Sequence, residues 1–281
     1  MTTVSIIGAG EVGGACAHAL ARHDIASRVL LVDRAARVAA GKALDIQQSA
    51  PVDAFHTRIE GTDDPARIVG SAVCIVADQF GPPVAEWTGD AALADLTRLR
   101  SYVGNAVLVC AGTSPADLLL AATREAHYRR ERIIASVPEA IRAAIGSLVA
   151  LEARCSPRDV MLTVLGAPPR LLVPWSEASI GGYALDRVLT APQVARIEAR
   201  AARLWPPGPQ ALGAAAARIT EAIVTSSRQT LTVLTLLAGE FGIRDRVGAL
   251  PVMLAPGGVV QTRVPELNTR ERVLVETALR A

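Results

Sequence analysis

Aromatic residues are scarce in this chain: Phe, Tyr and Trp together make up 3% of 281 residues. A core must therefore be built from Ala, Leu, Val and Ile, and a hydrophobic content of 51% argues against disorder. Lysine is nearly absent, with Lys42 alone, and the net charge is only +2. That balance excludes a basic face for nucleic acid or an anionic membrane. No apolar run reaches the roughly 20 residues needed to cross a bilayer. The first residues run directly into a strand-like stretch without a charged leader, so the expectation is a cytoplasmic protein. The four cysteines, Cys16, Cys74, Cys110 and Cys155, show no metal or redox spacing, and no metal site is expected. Cys74 and Cys110 lie in apolar runs and read as buried thiols. Histidine is the most consequential shortage. The chain has His18, His23, His56 and His127, and none afterwards.

What is present begins with "TVSIIGAGEVGGACAHAL", which reads strand, tight turn, helix. Gly8-Ala9-Gly10-Glu11-Val12-Gly13 matches G-x-G-x-x-G. Gly8 permits the sharp turn, Gly10 lets backbone approach a pyrophosphate, and Gly13 allows close helix–strand packing. The helix start, including Glu11 and Val12, supplies unpaired N–H groups and partial positive charge. A second strand, "SRVLLVD", ends at Asp33, about 20 residues beyond Gly13, the spacing of a ribose-binding acid. Asp33 would accept from both ribose hydroxyls and repel a 2′-phosphate, favouring NAD over NADP. Arg34 beside it could pair with that phosphate, and Asp33 could instead be a strand-end carboxylate at a turn. Further strand-like runs at 72–77 and 106–111 alternate with helical patterns at 35–49, 88–102 and 115–128. This alternation predicts a doubly wound parallel sheet of the Rossmann type, with ligands at the strand ends.

The fingerprint, Asp33 and "GKALDIQQSAPV" (41–52) resemble the first domain of the lactate/malate dehydrogenase family. "SPRDVMLTVLG", "LLVPWS", "AAAARITEAIV", "AGEFGIRD" and "LPVMLAPGGVVQTRVPELNTRERVLVETA" resemble later parts of that family in the same order. The resemblance implies a dinucleotide-binding domain over 1–136 and an α+β substrate-side domain over 137–281, with "MLTVLG" and "LPVMLAPGGVVQTRV" supplying strands. It implies NAD as cofactor. It also implies subunit contact through 41–52, with a second copy or with an intact dehydrogenase relative. The plain alternative is a helix that simply covers the sheet.

The catalytic positions depart from the family. Its histidine, in a G-x-H-G-D segment before "VP", falls on Pro168 within Gly166-Ala167-Pro168-Pro169-Arg170. Its mobile loop contributes arginines, whereas 77–97 contains no Arg or Lys; Trp87 lies near the expected arginine and Asp78 replaces a glycine. The family asparagine that touches cofactor and substrate becomes Ser114, before Pro115. Arg142 aligns with the substrate arginine, which places Glu139 where the histidine's aspartate would be.

Proline carries no proton. General acid catalysis is worth roughly 10²–10⁴ in rate, and a carbonyl-polarising arginine about 10²–10³. Loss of both predicts hydride transfer to 2-oxo acids slowed by roughly 10⁴ or more. The sequence therefore reads as an NAD-binding protein with a degraded 2-hydroxy acid site, a pseudoenzyme acting as partner or regulatory subunit. The alternative is an NAD-dependent oxidoreductase with a changed substrate and another proton donor. Glu139 could be that donor, or a salt-bridge partner of Arg142. Asp78 is expected at the nicotinamide end of the cleft, or as a loop cap. Tyr183, another candidate donor, reads as packing beside the Gly181-Gly182 turn; Arg170 is a new anion ligand or a solvated arginine, and Trp87 either closes the cleft or packs the loop.

Overall fold

The computed structural model describes residues 2–78 and 87–280. Its first half alternates β1 (Thr3–Ile7), α1 (Glu11–Arg22), β2 (Arg28–Val32), α2 (Ala36–Asp53), β3 (Arg58–Thr62), β4 (Val73–Val76), α3 (Gly89–Val103), β5 (Val107–Cys110), α4 (Ala116–Arg124) and β6 (Ile133–Ala135). The strands pair in parallel in the order β3-β2-β1-β4-β5-β6, which is the doubly wound Rossmann order. Strand side chains alternate between faces. Val4 and Ile6, Val29 and Leu31, Val73 and Ile75, and Val107 and Val109 point into one core. Ile7, Leu30 and Val32, Cys74 and Val76, and Leu108 and Cys110 point into the other. A period of two with both faces apolar is the signature of a parallel sheet covered on each side. Aliphatic residues make up most of both cores, in keeping with the shortage of aromatics.

The second half contains α5 (Val137–Ala153), β7 (Val160–Met161), β8 (Leu165–Ala167), β9 (Arg170–Leu172), β10 (Ser179–Ile180), β11 (Tyr183–Ala184), α6 (Leu185–Val188), α7 (Ala191–Ala201), α8 (Pro209–Thr225), β12 (Thr230–Ala238), β13 (Arg244–Ala255), β14 (Gly258–Thr262) and α9 (Thr269–Arg280). The main sheet runs on through β12, β13, β8 and β9, with β12 meeting β6 at Leu234 opposite Ala135. The run "MLTVLG" is two strands rather than one. β7 joins a small sheet with β10 and β11, while β8 pairs with β13 and β9. "LPVMLAPGGVVQT" forms the end of β13, a turn, and β14.

Helices α1 and α8 approach to backbone contact. A Cβ on Gly213 would fall 2.6 Å from the Ala15 carbonyl carbon and 2.8 Å from the Cys16 nitrogen. Residues of α8 such as Ala216, Ile219 and Ile223 share one core with Val4, Ile6 and Leu20. The helix that opens at the fingerprint is thus held from the other half of the chain. Among the described residues, no helix is long and apolar enough to cross a membrane.

Candidate functional site

The fingerprint turn lies between β1 and α1, at the carboxyl ends of the parallel strands. Gly8 adopts φ 95°, a left-handed conformation that costs a glycine nothing. A Cβ on Gly13 would strike the Gly8 carbonyl, so the strand–helix contact requires glycine there. The Asp33 carboxylate is 8% exposed and accepts from the Ala9 N–H and the Ala35 N–H, each at 2.9 Å. It therefore spans the fingerprint and the end of β2, where a ribose would lie. Arg34 is engaged elsewhere, with its guanidinium 2.5 Å from Asp95.

Asp78 sits against the start of α1. It follows β4 and leans over the fingerprint, accepting from the Gly13 N–H at 2.7 Å and the Val12 N–H at 3.3 Å. Its Cγ lies 2.5 Å from where a Cβ of Gly10 would sit. The absent side chain of Gly10 thus leaves room that a carboxylate now occupies. Burial pushes the Asp78 pKa up, the N–H groups of Gly13, Val12 and Gly10 draw it down, and neighbouring Asp33 adds to the rise; the net shift is upward. The cradle fits a dinucleotide: three glycines, a helix start whose N–H groups bind an anionic oxygen, and an acid at the ribose position. The carboxylate on those N–H groups is itself a stand-in anion.

The other catalytic candidates, Glu139 and Arg142, lie far from the fingerprint in the sequence and pair with each other. Glu139, in the first turn of α5, is 1% exposed. Its oxygens accept from Arg142 Nε at 2.9 Å and Nη2 at 2.8 Å, a bidentate pair. Arg218 Nε stands 3.3 Å away, and the Thr232 N–H is 3.4 Å from the same carboxylate. Pro168 sits in the turn between β8 and β9, and Arg170 opens β9, exposed. Ser114 lies in the exposed loop between β5 and α4, lining a narrow pocket with Val76, Ala77, Trp87, Gly112 and Pro115. Trp87 is 5% exposed and belongs to the core beneath α3 and α4. Tyr183, in β11, is exposed. Residues 79–86 of the arginine-free loop lie outside the described residues.

The histidines have partners or stand in solvent. His18 bonds Asp53 at 3.1 Å, and His56 bonds Asp24 at 3.2 Å. His23 and His127 are exposed, at the ends of α1 and beyond α4. Cys74 and Cys110 are fully buried, with their thiols pushed up to about 12, and are inert as nucleophiles.

Residues 2–80 match the lactate/malate dehydrogenase NAD-binding domain. The malate dehydrogenase of Thioalkalivibrio sulfidiphilus is 30% identical over 292 residues, covering 97% of this chain and 94% of that protein. The solved malate dehydrogenase of Salinibacter ruber superposes with a TM-score of 0.86 at 26% identity, over 99% of this chain and 94% of the other. The lactate dehydrogenase of Cryptosporidium parvum, solved with lactic acid and NAD, has a TM-score of 0.89 at 22% identity, covering 99% of this chain and 95% of that one. The last likeness is one of fold.

Proposed function

The chain belongs to the lactate/malate dehydrogenase family and carries its NAD-binding domain, and on that premise we propose that it binds the dinucleotide without catalysing ordinary lactate or malate oxidation. The observation that carries this reading is Pro168, a residue with no proton to give, in the turn where the family resemblance puts the acid–base histidine. No later residue of the chain is a histidine that a shifted alignment could supply.

The surrounding groups support the same reading. The family resemblance puts Glu139 at the position of the aspartate that orients the imidazole, and its carboxylate is paired with Arg142. That pairing takes the Nε–Nη2 edge of the guanidinium, one of the edges by which arginine grips a carboxylate bidentately. A 2-oxo acid would meet a partly occupied clamp and no proton donor. Ser114 in the loop after β5, Asp33 at the ribose position and the Gly8–Gly13 turn remain as the cofactor-binding set. NAD would supply a hydride acceptor there, and Pro168 has no proton to exchange with a substrate.

The role is that of a partner or regulatory subunit in the cytoplasm. α2 exposes Val38, Leu44 and Val52, the last with 87% of its surface open, which favours docking against a second copy or an active relative. The test follows NADH absorbance with pure protein and oxaloacetate, malate, pyruvate or lactate, alongside calorimetric titration with NADH. Heat of binding without turnover is expected, whereas turnover at a rate ordinary for the family would refute the reading. Sedimentation of the parent protein against Leu44→Asp tests the docking face, with dissociation expected in the variant.

A further inference from the structure

The Asp78 carboxylate lies in the cradle that the cofactor's diphosphate must enter. We infer that Asp78 is a built-in competitor: it holds the N–H groups at the start of α1 as an internal anion, and NAD binds only by displacing it. The inference rests on the cofactor reading above and adds to it a cost of binding and a direction of pH dependence.

The geometry carries the argument. A dinucleotide fingerprint works because Gly10 has no side chain and the first N–H groups of α1 point at the phosphates. Here the Asp78 Cγ is 2.5 Å from the position of a Gly10 Cβ, and its oxygens take the Val12 and Gly13 N–H groups at 3.3 and 2.7 Å. Carboxylate and diphosphate cannot both occupy those donors. Both are anions, so a displaced Asp78 that stayed nearby would also repel the phosphates. A cradle filled by its own chain lowers apparent affinity by the fraction of molecules in which it is open.

The charges facing Asp78 set the pH dependence. Asp33, at the end of β2, is a second acid that disfavours its ionised form. Cys16 faces it from α1 as a buried neutral thiol. The exposed Glu11 lies in the first turn of that helix, and the Lys42 Nζ reaches from α2 to 3.4 Å from the position of a Gly14 Cβ. Arrival of a diphosphate adds negative charge beside Asp78 and raises its proton affinity further. A protonated Asp78 no longer competes as an anion for the Val12 and Gly13 N–H groups, so NAD binding tightens as pH falls and is linked to proton uptake by Asp78.

A plain helix cap is the competing account, and the two separate by experiment. NADH binding is measured by calorimetry and by nucleotide fluorescence for the parent, Asp78→Gly and Asp78→Asn. Freed of the charge-assisted bonds, Asp78→Gly is expected to bind roughly tenfold tighter or more at neutral pH. Its affinity should be flat from mildly acidic to neutral pH, as should that of Asp78→Asn. The parent alone should show proton uptake, read from the dependence of binding heat on the buffer's ionisation enthalpy. That measurement needs no variant. If all three proteins bind equally and without proton uptake, Asp78 is only a cap and the competition is overturned. If none binds NADH, the cofactor reading and the competition fall together.

Discussion

Replacing Glu139 by alanine is expected to destabilise the protein by about 3–5 kcal/mol, the cost of breaking one side of a buried ion pair. The carboxylate is 1% exposed and the Arg142 side chain 16%, with two bonds of 2.8–2.9 Å between them. Removing the acid leaves a guanidinium largely shielded from water with no counter-charge. Arg218 adds little: its side chain is half exposed, and such a pair is worth at most about 1 kcal/mol. Glu139→Gln keeps the shape and one acceptor oxygen, so its cost is lower, about 1.5–3 kcal/mol. A protein of this kind has about 5–15 kcal/mol in total, so the alanine variant should unfold at markedly lower urea. The assay is urea unfolding followed by Trp fluorescence and circular dichroism, with a double-mutant cycle against Arg142→Met to isolate the pair. A coupling energy under about 0.5 kcal/mol would refute the claim that Glu139 is a strut for Arg142. Unchanged stability together with lost NADH turnover on some substrate would instead make Glu139 a proton donor.

Asp33→Ala should abolish NADH binding in calorimetry and also lower the melting temperature. The Ala9 and Ala35 N–H groups lose their acceptor, each at a cost of roughly 1–3 kcal/mol where it stays dry. Gly213→Ala should destabilise by about 1–3 kcal/mol in urea unfolding, because the new methyl meets the backbone of Ala15 and Cys16; an unchanged midpoint would mean that α1 and α8 can separate without cost. Asp24 accepts from the backbone N–H groups of His56 and Thr57 and from the Thr57 hydroxyl, and these bonds lower its pKa to about 2. Its stabilisation is therefore complete above the unfolded carboxylate value of about 3.9 and is lost as pH falls through the folded one. The stability gap between the parent and Asp24→Ala should close over that acid window, as read from melting temperatures against pH.

The nucleotide-binding half was legible because its signals are local. Three glycines and one acid sit at fixed spacing, and apolar runs of four or five residues alternate with helical patterns. Residues 35–49 and 88–102 correspond to α2 and α3 within a few residues. β6 is not legible in the sequence, because three residues give no period. β12, "TLTVLTLLA", is by contrast a continuous strand-like run of nine residues, and it joins the two halves of the sheet. Pro168 and the lack of any histidine after His127 are legible in the sequence as well. What the sequence did not reveal was direction. The position of Asp78 after β4 is a local fact, but its lean over Gly10 depends on how β4 and β1 lie in register. Likewise, Glu139 and Arg142 are three residues apart on a helix, whereas Arg218 and Thr232 reach the same carboxylate from distant parts of the chain.

The close seat of α8 on α1 bears on how the chain could be dissected. The face of α1 that carries Ala15 and Cys16 is covered by Gly213 and its neighbours, and the residues beneath belong to a core supplied by both halves. A fragment ending at residue 136 would lay that alanine-rich seam bare to water. The nucleotide-binding portion is thus not a removable cassette: an attempt to graft it onto another protein would have to carry along a substitute for the helix that closes its back.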